Sequence, residues 1–100
     1  MNGVELKAVL ESGGRVFGTM ISLSRNPKWI PFLDGVGLDY VVIDTEHGSR
    51  SRGELGDFLT MFNTTGVVPI VRIPIPDSHY VTMALDAGAQ GVLAPYCETV

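Results

Sequence analysis

One hundred residues, 45% hydrophobic and 18% charged, suffice for one packed domain and exclude a disordered chain. The formal charge of -4 comes without a basic run, since Arg15, Arg25, Arg50, Arg52 and Arg72 are scattered or in pairs, so the electrostatic footprint of a nucleic-acid binder is missing. Cys97 is the single cysteine and cannot form an internal disulfide, no run approaches the ~20 apolar residues needed to span a bilayer, and "MNGVELKAVLESGG" lacks a signal peptide's apolar core; a soluble, cytoplasmic protein is expected, with neither nucleic acid nor membrane as partner.

In chain order, a first helix is expected over "GVELKAVLESGG", followed by a strand in "VFGTMIS" from Val16. "NPKWIPFLDGVG" then reads as a short helix. Pro27 stands near its start after Asn26, Trp29, Ile30, Phe32 and Leu33 form its apolar stripe, and Pro31 limits it to the first turns. A second strand, "YVVID", begins at Tyr40. "SRGELGDFLTMFNTTG" carries a capping box, Ser51 with Glu54, and Leu55, Phe58, Leu59 and Phe62 at helical spacing. "VPIVRI" from Val68 is a third strand. "DSHYVTMALDAG" opens with Asp77 as N-cap, puts Val81, Ala84 and Leu85 on one face and stops at Gly88, before a fourth strand in "GVLAPY" from Gly91. All four apolar runs are continuous rather than alternating, which suits parallel strands covered on both faces.

These βα units repeat at roughly 23 to 28 residues, close to the ~30 of an eight-unit barrel. The class is therefore α/β, either an open doubly wound sheet or a (β/α)8 barrel. No Gly-x-Gly-x-x-Gly follows the first strand, which disfavours a dinucleotide-binding sheet. Four units cannot close a barrel, and four alone would leave apolar edges exposed. Residues 1–100 are thus expected to supply about the first four βα units of a single TIM-barrel domain, the N-terminal part of a longer protein.

In either architecture chemistry sits at the carboxyl ends of the strands, here "ISLSRNP", "DTEHGSR", "RIPIPD" and "APYCET". His47 has the side chain best suited to proton transfer at neutral pH; alone it would read as a solvated loop histidine. Asp44 either orients that imidazole or caps the next turn through the amides of Glu46 or His47. Glu46 is read as a base, a metal ligand or, preferred, a hydrogen-bond partner for a neighbouring loop. The D-x-E-H spacing is no recognised ligand pattern for a metal. Arg72, in the middle of an apolar strand, needs a partner to offset desolvation; its planar fork suits a carboxylate or an enolate oxygen, and the alternative is a structural ion pair at the barrel mouth. Gly13, Gly14, Gly18 and Gly48 read as turn or close-approach glycines. Trp29, Phe58 and Phe62 read as core, His79 as solvated, and Cys97 as an inert thiol.

"GLDYVVIDTEHG", "VVPIVRIP" and "ALDAGAQGVLAPYCET", in that order, together with "LKAVLESGGRVFGTMISLSRNP", resemble the HpcH/HpaI aldolase family of metal-dependent class II pyruvate aldolases over nearly the whole chain. The resemblance implies a (β/α)8 barrel that cleaves a 4-hydroxy-2-oxo acid to pyruvate and an aldehyde. A divalent metal ion, Mg, Mn or Co, would act as Lewis acid for the enolate. It further implies that His47 serves in proton transfer with Asp44 close by. By the same resemblance Arg72 would stabilise the enolate oxygen, and Asp86 would raise the basicity of that motif histidine. Asp86 stands near the end of a helix running away from the rim, so that histidine is expected from a neighbouring subunit of a homo-oligomer, a hexamer in family members; a local helix-end role is the alternative. The metal ligands are expected beyond Val100, and residues 1–100 alone are expected to be inactive. Met20 replaces a frequent tryptophan, and Tyr96 follows Pro95 where relatives carry a smaller or aliphatic group; both bear on the aldehyde side of the pocket. Oxaloacetate decarboxylation, carbon-carbon bond-forming synthesis and a catalytically inactive barrel subunit are the competing readings.

Overall fold

The computed structural model describes residues 1–22, 24–45 and 51–98. Asn2 caps the first helix, α1 (Gly3–Glu11), by accepting from the Glu5 amide, as short polar side chains do for orphan N–H groups. Beyond it Gly13 turns the chain with φ +83°, a conformation that favours glycine. Strands β1 (Gly18–Ile21), β2 (Tyr40–Asp44), β3 (Val68–Arg72) and β4 (Gly91–Leu93) pair in parallel in the order β1-β2-β3-β4. The expected starts at Tyr40, Val68 and Gly91 hold; that of the first strand moves from Val16 to Gly18.

Strand order decides between the two architectures. A doubly wound sheet reverses direction at a switch point, whereas a barrel adds each strand to the same edge, and here the order is sequential. The helix layer agrees. Side chains alternate across a strand. Accordingly Val41, Ile43, Val71 and Ile73 share one core with Leu55, Phe58, Leu59 and Phe62 of α2 (Arg52–Phe62), Ile30 and Ala84 of α3 (Ser78–Asp86). The opposite stripe, Tyr40, Val42, Ile70 and their neighbours, lines an open apolar recess of about 420 Å³ closed on one side by Leu6 and Leu10 of α1. That stripe is the inner face of a partial (β/α)8 barrel.

Register rows run across this inner face. Gly18 aligns with Tyr40 and Val68, Met20 with Val42, Ile70 and Gly91, and Asp44 with Arg72 and Leu93. Gly18 is required by close approach, because a Cβ there would fall about 2.4 Å from the Tyr40 ring. The first helix is tied to the amino ends of the strands: the Gly3 amide donates to Gln90 Oε1 at 2.6 Å, and Gln90 Nε2 donates to Asn63 Oδ1 at 2.7 Å.

The expected capping box of α2 is complete, with Glu54 N donating to Ser51 Oγ at 3.1 Å and Ser51 N donating to Glu54 Oε1 at 3.3 Å. Asp77 caps α3 by accepting from the His79 amide, and Gly88 ends it with φ +114°. The segment Pro27–Leu33 differs from expectation, being a 3-10 helix with Pro31 inside it. At three residues per turn Ile30 and Leu33 eclipse and both meet the core, whereas Phe32 is rotated away and is 79% exposed. Leu85, expected on the buried face of α3, is also exposed. Trp29 is core as expected, edge-on to both Phe58 and Phe62, with its indole N–H donating to Ser24 Oγ at 2.6 Å.

Candidate active site at the carboxyl rim

Asp44 and Arg72 are the last residues of β2 and β3, and the parallel register places them side by side. Because the inner stripe includes both, the guanidinium and the carboxylate meet at the carboxyl rim. Arg72 Nη2 donates to Asp44 Oδ2 at 2.6 Å and Nε to Oδ1 at 3.2 Å, a two-pronged contact that fixes the plane of the guanidinium. The Asp44 side chain is 3% exposed and that of Arg72 is 21% exposed. Such a carboxylate is tolerable in a buried setting only with a charged, hydrogen-bonded partner. The small exposed part of Arg72 is what remains available at the rim.

The backbone at this point is held as tightly as the side chains. Thr45 N and Oγ1 both donate to the Arg72 carbonyl, at 3.1 and 2.5 Å, and the Ile73 amide donates to the Leu93 carbonyl at 3.1 Å. The stems of the loops after β2 and β3 are thus clamped together. Thr45 was not singled out in the sequence; a β-branched hydroxyl directly after a strand-terminal carboxylate is its only signal.

The expected site residues divide into three groups. Arg72 and Asp44 are brought into contact, so the geometry contains the ion pair considered for Arg72, with Asp44 as a partner. His47 and Glu46, with Gly48, lie outside the described residues, as does the turn that Asp44 was expected to cap. Asp86 is the last residue of α3 and is exposed in a groove of about 380 Å³ with Arg52, His79, Thr82 and Met83. That groove lies on the helix layer, outside the barrel. Four residues after Asp86, the Gln90 amide donates to the Pro69 carbonyl near the amino end of β3, so Asp86 stands at the opposite end from Arg72.

Met20 and Tyr96 are both exposed, at β1 and just past β4; Tyr96 has φ 57°, unusual for a side chain of its size. Cys97 is exposed, its sulfur 3.8 Å from the carbonyls of Ala94 and Pro95. Among the described residues no group of three or more His, Cys, Asp or Glu could hold a metal ion. Both oxygens of Asp44 are engaged by Arg72, so this carboxylate does not fit the part of a free metal ligand. Among the described residues no helix is long and apolar enough to cross a membrane.

The sequence pattern of the HpcH/HpaI aldolase/citrate lyase family matches residues 19–100. A hydroxypyruvate/pyruvate aldolase of Roseobacter denitrificans is 29% identical over 93 residues, which are 93% of this chain and 36% of that protein. A 4-hydroxy-2-oxovalerate aldolase of Novosphingobium aromaticivorans is 33% identical over 94 residues, with 93% of this chain and 36% of the relative covered. Among solved structures, the HpcH/HpaI aldolase of Desulfitobacterium hafniense DCB-2 superposes with a TM-score of 0.78 at 37% identity, over 87% of this chain and 34% of that one. The chain spans about a third of the length of the curated relatives it matches.

Proposed function

This chain belongs to the HpcH/HpaI aldolase/citrate lyase family, and on that premise we propose that the whole protein is a class II, divalent-metal-dependent pyruvate aldolase. It cleaves 4-hydroxy-2-oxo acids to pyruvate and an aldehyde. The observation that carries this reading is the Arg72–Asp44 pair at the carboxyl ends of adjacent inner strands.

In the reaction the 4-hydroxyl loses its proton, the C3–C4 bond breaks, and the electron pair passes into the three-carbon fragment as an enolate. Protonation at C3 then gives pyruvate. His47 is the residue we assign to proton transfer, and Arg72 to the oxygen on which negative charge develops. A guanidinium oriented before the reaction stabilises that charge without reorganising during it. Asp44 sets the orientation, which makes it a positioning residue for Arg72. A divalent Mg, Mn or Co ion would supply a Lewis acid to the same enolate; the described residues offer no donor set for it, and, as the family resemblance implies, we assign its ligands to later strands of the barrel.

We place the active form in the cytoplasm as a homo-oligomer. Support for the assembly comes from Asp86, which is exposed on the outer helix layer at the opposite end from Arg72, a placement that suits contact with a neighbouring subunit rather than with this chain's own rim. Light scattering of the purified protein tests this, and a monomer that is fully active would dismiss it.

The deciding assay follows pyruvate release by the complete, metal-loaded protein from 4-hydroxy-2-oxo acids and from oxaloacetate. Release from the hydroxy acids, lowered ~100-fold by His47→Ala, is the expected outcome. Release from oxaloacetate alone would replace the aldolase by a decarboxylase.

A further inference from the structure

Glu54 does more than complete a capping box. Its Oε1 accepts from the amide of Ser51, while its other oxygen, Oε2, lies 3.8 Å from Arg25 Nε. Arg25 belongs to the loop after β1, and Ser51 closes the loop after β2 that carries Glu46 and His47 in sequence. One carboxylate therefore touches the loops of two adjacent strands at the same rim.

The rest of each loop is anchored independently. On the β1 side Ser24 accepts from the Trp29 indole, Asn26 caps the 3-10 helix, and Trp29 is set edge-on against Phe58 and Phe62 of α2. On the β2 side Thr45 is fastened to the Arg72 carbonyl at the start of the loop and Ser51 to Glu54 at its end. The contact between Arg25 and Glu54 is a direct polar bridge between these two anchored systems. Their side chains are 59% and 32% exposed, so the pair adds little to stability; its effect is on relative position.

We infer that Arg25 and Glu54 are positioning residues that fix the exit of the β2 loop against the β1 loop, and through it the placement of the proton-transfer residue. The inference rests on the reading of His47 given above. Small displacements of a reacting group lower a rate far more than they lower stability.

The test uses the complete, metal-loaded protein with three variants. Glu54→Gln keeps a side-chain oxygen for the Ser51 amide and removes the charge facing Arg25, Arg25→Gln removes the other charge, and the third carries both. Each single variant is expected to lower kcat about fivefold at unchanged KM, with an unchanged melting temperature, and the double variant no further than either single one. Arg25→Lys should restore most of the loss. Equal kcat in all variants, or losses that add in the double variant, would overturn the inference. Hydrogen exchange of a peptide spanning residues 45–51 reads the same coupling without turnover: faster exchange in both single variants is expected, and wild-type exchange in both would overturn it. If the wild-type protein releases no pyruvate, the aldolase reading fails while the exchange result still decides this one.

Discussion

Along β2 and β3, alternate side chains occupy two different environments. Val41, Ile43 and Val71 face α2 and are sealed with Phe58 and Phe62 in an apolar core. Asp44 and Arg72, one step out of phase, face the barrel interior and bring a carboxylate and a guanidinium together at the rim. The helix-facing stripe is a matter of volume and burial, in which many hydrophobic residues of suitable size would serve. On the inner stripe, identity and register matter, because a one-residue slip would send Arg72 into the core. The same strands thus divide stability and chemistry between their two faces.

That division can be broken from either side, starting with the largest effect. Leu59 is fully buried, and Leu59→Ala should cost about 2–5 kcal/mol, read as a lower urea midpoint. Turnover per folded molecule should stay at the wild-type level; a large kinetic loss in folded protein would show that the two faces are not separable. Arg72→Ala should lower turnover ~100-fold in the complete protein, and near-normal rates would leave Arg72 a structural ion pair and nothing more. Arg72→Lys sharpens the comparison, because it keeps a positive charge over Asp44 and removes the planar, two-pronged contact. It should cost about tenfold in turnover with a nearly unchanged urea midpoint. If lysine serves as well as arginine, charge rather than orientation is what Asp44 supplies. The smallest effect belongs to Ser51→Ala, which removes half of the capping box and should cost about 1 kcal/mol of stability, measured by thermal unfolding.

Much of this architecture is legible in the sequence because it is encoded locally. Strand starts at Tyr40, Val68 and Gly91, the capping box of Ser51 and Glu54, and the stop at Gly88 are all signals confined to one turn or one run. The 3-10 helix is the instructive exception: Trp29, Ile30, Phe32 and Leu33 suit an α-helical stripe on paper, yet Pro31 and a period of three leave Phe32 in solvent. The pairing of Asp44 with Arg72 was not legible. Each residue was singled out at its own strand end, but what joins them is the register of two parallel strands separated by a whole helix, and nothing within either segment specifies it. The same holds for Arg25 and Glu54, which meet because the loop holding Arg25 and the helix holding Glu54 follow neighbouring strands.

Sequential strand order has a consequence for synthesis on the ribosome. Each strand pairs with the one made just before it, so the sheet grows by addition at a single edge and every completed βα unit can dock as soon as it is made. The newest strand keeps one edge open, and that edge offers a free row of backbone donors and acceptors until its successor arrives. At the β3 stage that row belongs to "VPIVR", an apolar segment relieved by one proline and one arginine. Pro69 supplies no amide to a competing chain, and Arg72 brings a charge to the strand's end. Proline and charge on a strand both disfavour pairing with another chain, and β3 carries one of each at the stage when its edge is open.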